Sequence, residues 1–285
     1  MGLLLLDAAR IDVPPADFLA ANAEIFARWG WPTHDSGNVS YGVRAGDARF
    51  FVKTAGPANG RHEPHFATTH AQRVELLNNA ATLAGSLEHP ALPALRNVIA
   101  SPEGPVLVYD FVDGELLYAE GETRDDPSTA YQRFRALPPE RIASALDTIY
   151  AVHDELAKRG FIACDFYDGS ILYDFDRGKL IVCDLDSYGR GAFENAMGRM
   201  YGSSRFMAPE EFVRGATIDQ RTTVFTLGRT AAVFLSDLTL EREPFRGSDA
   251  EHAVVVRACQ PVPEQRYASV REFCQAWRLA RCCGR

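Results

Sequence analysis

Two aspartates and one lysine stand where proton transfer and phosphate chemistry would use them. Asp165 lies in Phe161-Ile-Ala-Cys-Asp-Phe-Tyr-Asp-Gly-Ser170, after a helical stretch and before a strand. A carboxylate there can accept the proton of an attacking hydroxyl. Asp184 closes the apolar run Leu180-Ile-Val-Cys-Asp-Leu-Asp186, so its anchor is buried and its head emerges at a strand end. That suits a hard cation such as Mg²⁺, which takes carboxylate and phosphate oxygen. Turn capping is the ordinary alternative for both aspartates. Lys53 ends Phe50-Phe-Val-Lys53, and is either a snorkelling surface residue or a cation held in a cleft. Ser36-Gly37-Asn38-Val39-Ser40 is a small polar stretch whose backbone N–H groups can approach phosphate oxygens, although most such stretches are plain turns.

The elements that must position these residues follow from periodicity. Ala16–Trp29, after Pro14-Pro15, is expected as an amphipathic helix with Phe18, Ile25 and Phe26 on one side. Ser40–Lys53 reads as a hairpin turning at Ala45-Gly-Asp47. A helix is expected over about Thr68–Leu87, then strands over Ala94–Ala100 and Val106–Asp110. Ile142, Leu146, Ile149, Val152 and Leu156 mark one face of a helix stopped by Gly160. Strands near Ser170–Tyr173 and Lys179–Cys183 come next, followed by helices over Asp219–Ser236, Glu251–Cys259 and Ser269–Arg281. Strands with one helix, then helices with a small hairpin, make an α+β arrangement joined near Asp110–Gly114.

The totals bound the partners. The chain has 285 residues, 46% of them apolar, enough for a packed core. Its formal charge of −8 argues against nucleic acid or an anionic membrane surface as partner. No run approaches the length of a membrane helix, and the start Met1–Asp7 lacks the basic region of a secretory signal. The six cysteines have no paired zinc spacing, so reduced thiols in a cytoplasmic protein are expected.

In order and approximate spacing, from about Ser36 to Trp277, these segments resemble the protein-kinase superfamily. Phe51-Val-Lys53 is similar to the Val-Ala-x-Lys strand, which makes Lys53 a ligand of the ATP phosphates and part of the catalytic set. His89-Pro90 resembles the His-Pro after the αC helix. Leu107-Val-Tyr-Asp-Phe-Val-Asp-Gly114 resembles the last strand and hinge, with Tyr109 as gatekeeper and the backbone of Asp110 and Val112 at the adenine. Gly37, Asn38, Val39 and Ser40 would serve the nucleotide. Asp165 matches the catalytic-loop aspartate and Asp184 the metal-binding aspartate, with Ser170 and Asp186 as further Mg²⁺ ligands. Gly202-Ser-Ser-Arg-Phe-Met-Ala-Pro-Glu210 is similar to the end of an activation loop, and Pro263-Glu-Gln-Arg-Tyr267 to the Asp-Pro-x-x-Arg motif. The resemblance implies an ion pair between Arg266 and Glu210. It also implies a small β-rich N-lobe over 1–112, a larger, mainly helical C-lobe over 113–285, ATP and Mg²⁺ as cofactors, and an atypical serine/threonine-protein-kinase activity.

The chain departs from the family pattern at several positions. Ala163-Cys164 replaces His-Arg before the catalytic aspartate, Tyr167 replaces a lysine, Ser170 an asparagine, and Thr223 the aspartate that opens helix αF. The αC glutamate position falls on Ala80. Glu75 is five residues earlier, about 140° around the helix. Asp168 is an alternative to Asp186 at the metal. Three readings therefore stay open: transfer to a protein hydroxyl, transfer to a small-molecule hydroxyl as in aminoglycoside and choline kinases, and non-catalytic ATP binding.

Overall fold

Val39, Tyr41, Val43 and Ala45 fall on alternate positions and are all buried. That spacing makes β2 (Val39–Ala45) a strand with a core face. The computed structural model describes residues 4–30, 36–58 and 68–283. It is a mixed α and β structure that divides into two units, Met1–Glu88 with Pro93–Asp113, and His89–Leu92 with Gly114–Arg285.

The first unit opens with α1 (Leu4–Asp7) and α2 (Pro15–Asn22), followed by β1 (Glu24–Trp29) and β2. After β3 (Ala48–Thr54) come α3 (His70–Ser86), β4 (Leu95–Ser101) and β5 (Gly104–Asp110). The strands form one antiparallel sheet in the order β1-β2-β3-β5-β4. β2 and β3 turn over Gly46-Asp47, with Ala45 opposite Ala48 and Gly46 at φ 61°. Leu5, Phe18 and Leu19 pack with Val43, Val52 and Val108 in one core. Leu77 and Ala80 of α3 pack with Ala55 and Leu107 in another. A capping box between Thr69 and Gln72 starts α3.

The helix expected over Ala16–Trp29 is instead two elements. α2 ends at Asn22, whose Nδ2 donates to the Phe18 carbonyl at 2.8 Å, and Ala23 is extended. Ile25 and Phe26 are more than a third exposed and do not continue the face of Phe18. Aromatic and β-branched residues favour a strand when a partner edge is available. β2 supplies it, with Ile25 opposite Val43 and Trp29 opposite Ser40. Phe26 packs edge-on to Phe111 at 5.2 Å and lies over Gly42, where an added Cβ would meet its ring at 2.6 Å.

The second unit begins with β6 (Glu115–Leu116), α4 (Ala130–Arg135) and α5 (Pro139–Lys158). Ile142, Leu146, Ile149, Val152 and Leu156 of α5 are all buried, as their spacing requires. Then come β7 (Phe161–Ile162), β8 (Ile171–Asp174), β9 (Lys179–Val182), β10 (Gly189–Arg190), β11 (Phe193–Glu194) and β12 (Thr217–Ile218). These strands make three small antiparallel sheets: β6-β8-β9, β7-β10 and β11-β12. The segment His89–Leu92 joins this unit, the Ala91 carbonyl accepting from Val182 N–H at 2.8 Å. α6 (Gln220–Leu235), α7 (Asp249–Ala258) and α8 (Val270–Cys283) complete it. α6 and α7 touch at Gly228, where a Cβ would come within 2.8 Å of Ala258 and Cys259. Trp277 of α8 is buried and donates to Asp147 at 2.7 Å. No helix among the described residues is long and apolar enough to cross a membrane.

Candidate functional site

In the first unit, directly opposed residues of neighbouring antiparallel strands share a sheet face. Lys53 faces Ser40 on one side and Leu107 on the other, while Phe51 faces Tyr109. Lys53 and Tyr109 therefore stand on the face that α3 covers through Leu107. The residue before Pro90 by ten positions, Ala80, is buried in that packing, and Glu75 is exposed. A different cation is locked here. Arg73 is fully buried, donating from Nε to the Ala55 carbonyl at 2.7 Å and from Nη1 to the Thr68 carbonyl at 2.8 Å.

The polar stretch before β2 is held from several sides. Thr68 Oγ1 donates to the Ser36 carbonyl at 2.7 Å, and Thr54 Oγ1 to the Val39 carbonyl at 2.8 Å. Gly37 has φ 85°, and the Gly37 carbonyl lies so close to Gly56 that a Cβ there would meet it at 2.5 Å. Asn38 Oδ1 is buried with no hydrogen-bond donor among the described residues. Val39 belongs to the core by its side chain, so only its backbone is available to a ligand. At the end of β5, Asp110 N–H donates to the Ala94 carbonyl at 3.0 Å, and its carboxylate takes a two-pronged grip from Arg96 at 2.8 and 2.5 Å. Val112 is half-buried.

In the second unit, Asp165 and Asp184 both have φ 59°, a left-handed backbone that aspartate adopts more readily than most residues. Asp165 sits in the loop after β7, half-buried; Asp184 sits exposed in the loop after β9. The two loops are tied, because Cys183 N–H donates to the Ser170 carbonyl at 2.9 Å. Burial raises the pKa of Tyr167 and of Tyr188, and the charges of Asp165 and Asp184 raise both further, so both carboxylates act on both phenols. Tyr167 is thus a neutral hydroxyl near two carboxylates. Ser170 is buried and its hydroxyl donates to the Asp165 carbonyl at 3.4 Å. Asp186 is buried.

Asp168, the alternative to Asp186 at the metal, is engaged in an ion pair. Its carboxylate is fully buried and lies 2.6 Å from Arg205. Burial raises its proton affinity and the guanidinium pulls it partly back. Among the described residues no three His, Cys, Asp or Glu side chains form a metal-holding group. Mg²⁺ does not require one, since it commonly keeps waters and takes one or two carboxylates plus phosphate oxygens. The oxygen donors of Asp184 and Asp186 suit that chemistry.

Several supports were not legible from local sequence. His153 is buried and its Nε2 accepts from the Tyr188 hydroxyl at 2.7 Å, while Nδ1–H donates to the Ile149 carbonyl at 2.8 Å. Burial lowers its pKa to about 4, so it is neutral at pH 7 and pins the loop after Asp184 to α5. Ala163 N–H, two residues before Asp165, donates to Thr223 Oγ1 at 3.0 Å. Gly202 abuts the same loop; a Cβ there would lie 3.5 Å from Asp165 Oδ1. Glu211 is buried, and desolvation with the charges of Glu210 and Asp165 pushes its pKa up to about 8. Its Oε2 accepts from Ala208 N–H at 2.6 Å.

Glu210 and Arg266 do meet. Arg266 Nη1 and Nη2 donate to Glu210 Oε1 and Oε2 at 2.6 and 2.9 Å, both side chains being buried. Arg266 also donates to the carbonyls of Gln260, Arg221 and Pro261, and Thr222 Oγ1 donates to Glu210 at 2.9 Å. Comparison with known proteins adds no name to this geometry: no family model matches the chain and no curated protein matches its sequence.

Proposed function

We propose that the chain is an ATP-dependent phosphotransferase of protein-kinase-like, two-lobed architecture, transferring the γ-phosphoryl group to a protein hydroxyl. The observation that carries this reading is the buried Glu210–Arg266 pair. Local pattern cannot bring together residues 56 apart, whereas the resemblance demands their contact. A sheet carrying Lys53 with α3 on its face, and Asp165 and Asp184 on tied loops, support the same reading. In it, Lys53 and the backbone of Gly37–Ser40 hold the phosphates, and the Asp110–Val112 backbone meets the adenine. Asp165 takes the proton of the acceptor hydroxyl, and the Tyr167 hydroxyl donates where the family uses an ammonium. Asp184 and Asp186 are the side chains that would hold Mg²⁺, which neutralises charge on the phosphates.

The test is ATP turnover and ATP–Mg²⁺ binding in Asp165→Asn, Asp184→Asn and Lys53→Met. Asp165→Asn should cut turnover by ~10²–10⁴-fold with binding intact, as expected for lost general-base help. Asp184→Asn should lose the Mg²⁺-dependent part of binding. No ATP-dependent thermal shift in the unaltered chain would remove the reading. A second reading, ATP binding without transfer, draws on Ser170, whose hydroxyl is engaged by the Asp165 carbonyl. It predicts binding without turnover, unaltered by Asp165→Asn.

A further inference from the structure

Three arginines and one buried carboxylate surround Tyr131 in α4. Burial raises the pKa of its phenol, and the charges of Arg135, Arg205 and Arg124 pull it partly back. Arg205 is spent on Asp168, and Arg135 stacks over Tyr131 at 5.5 Å. Beside them lies a cavity of about 290 Å³, formed between α4 and the end of α6. Gln132, Arg135, Phe234, Ser236, Asp237 and Arg246 line it. None of the residues assigned to nucleotide or metal is among them.

Neither Arg135 nor Arg246 forms an ion pair among the described residues. Arg135 Nη2 donates to the Ser236 carbonyl at 2.6 Å, and its Nε is buried without a hydrogen-bond partner. Arg246 Nη2 donates only weakly, to the Leu137 carbonyl at 3.3 Å. Burial and the charge of Arg135 lower the pKa of Arg246. Two guanidiniums line one cavity, and neither is paired with a carboxylate among the described residues, so the cavity carries excess positive charge. Asp237 offsets only one of the two charges, and its Oδ1 already accepts from the Thr239 and Ser236 hydroxyls and Thr239 N–H.

We propose that this cavity binds a small phosphate-bearing molecule, its phosphate held between Arg135 and Arg246. A dianion answers both cations, and the planar fork of arginine matches phosphate oxygens. The volume is at the lower end of small-ligand pockets, which favours a compact metabolite over a protein side chain presented on a surface. Asp237 would accept from a hydroxyl of that molecule.

Calorimetric titration of the full chain with inorganic phosphate, at ionic strength matched with chloride, tests this. One saturable site is expected. Arg246→Gln should weaken it by about tenfold or more, the scale of a charge-assisted hydrogen bond. Arg246 is exposed, so the variant is expected to fold, which an unchanged Tm would verify. Lys53→Met should leave phosphate binding unaltered. No saturable binding, or equal binding by Arg246→Gln, overturns the proposal. So does loss of binding in Lys53→Met with retention in Arg246→Gln, which would assign the phosphate to the nucleotide loop. Arg246-dependent binding of a phosphoserine peptide without binding of inorganic phosphate would also overturn it, in favour of a protein ligand.

Discussion

Backbone conformation decides which substitutions at Asp165 and Asp184 are clean. At φ 59° asparagine fits nearly as well as aspartate, whereas alanine pays roughly 1–2 kcal/mol for the left-handed backbone. Asp165→Ala should therefore lower the urea midpoint as well as the rate, and Asp165→Asn the rate alone; equal midpoints would mean the loop relaxes freely. Glu211 has a sharper signature. Its folded pKa of about 8 lies above the ordinary carboxylate value of 4.5. Between those pH values the folded state holds a proton that the unfolded state releases, so stability falls as pH rises through that window. His153 has the opposite sign: with a folded pKa of about 4 against 6.5, stability is gained as pH rises from 4 to 6.5. The two slopes oppose each other below pH 6.5, and only the loss from Glu211 remains above it. Glu211→Gln keeps an oxygen for Ala208 N–H and should erase the decline between pH 6.5 and 8. A decline that persists in the variant assigns it elsewhere. The loop positions of the two aspartates were readable because an apolar strand leads straight into Asp184 and a helix–turn into Asp165. Glu211 was not, because nothing local says that the residue after an Ala-Pro-Glu run is dry.

At the scale of elements, the Glu210–Arg266 clamp ties the turn at Pro209–Phe212 to the start of α6 and to the loop before α8. Arg266→Met leaves a buried carboxylate without its cation and should cost about 3–5 kcal/mol in urea unfolding. The double change with Glu210→Gln should cost less than the sum of the single ones. A loss under ~1 kcal/mol for Arg266→Met would make the clamp dispensable. Long periodic elements were readable: the α5 face from Ile142 to Leu156, the β2–β3 hairpin and α3 all lie where their spacing puts them. β1 was not, since six residues with Ile25, Phe26 and Trp29 fit a helix face or a strand equally until an edge is present to pair with. The two-residue strands β10, β11 and β12 carry no period at all; long-range pairing alone defines them.

For the molecule as a whole, the cysteines offer a direct check on the packing. Cys164, Cys259 and Cys274 are buried, and burial pushes each thiol up to about 12. Cys282 is exposed. A thiol reagent at pH 8 should label Cys282 within minutes and reach the buried three only on unfolding, because the thiolate is the reactive form. Fast labelling of Cys164 under native conditions would contradict the packing around the Asp165 loop. The division into two units has one further consequence. The second unit borrows four residues, His89–Leu92, from the middle of the first unit's chain, and the strand that leads into Asp184 leans on them through Ala91. Neither unit is one uninterrupted stretch of gene. Cutting the coding sequence at Gly114 strips β9 of its anchor, and a short peptide spanning those residues, added back in trans, is what should restore it.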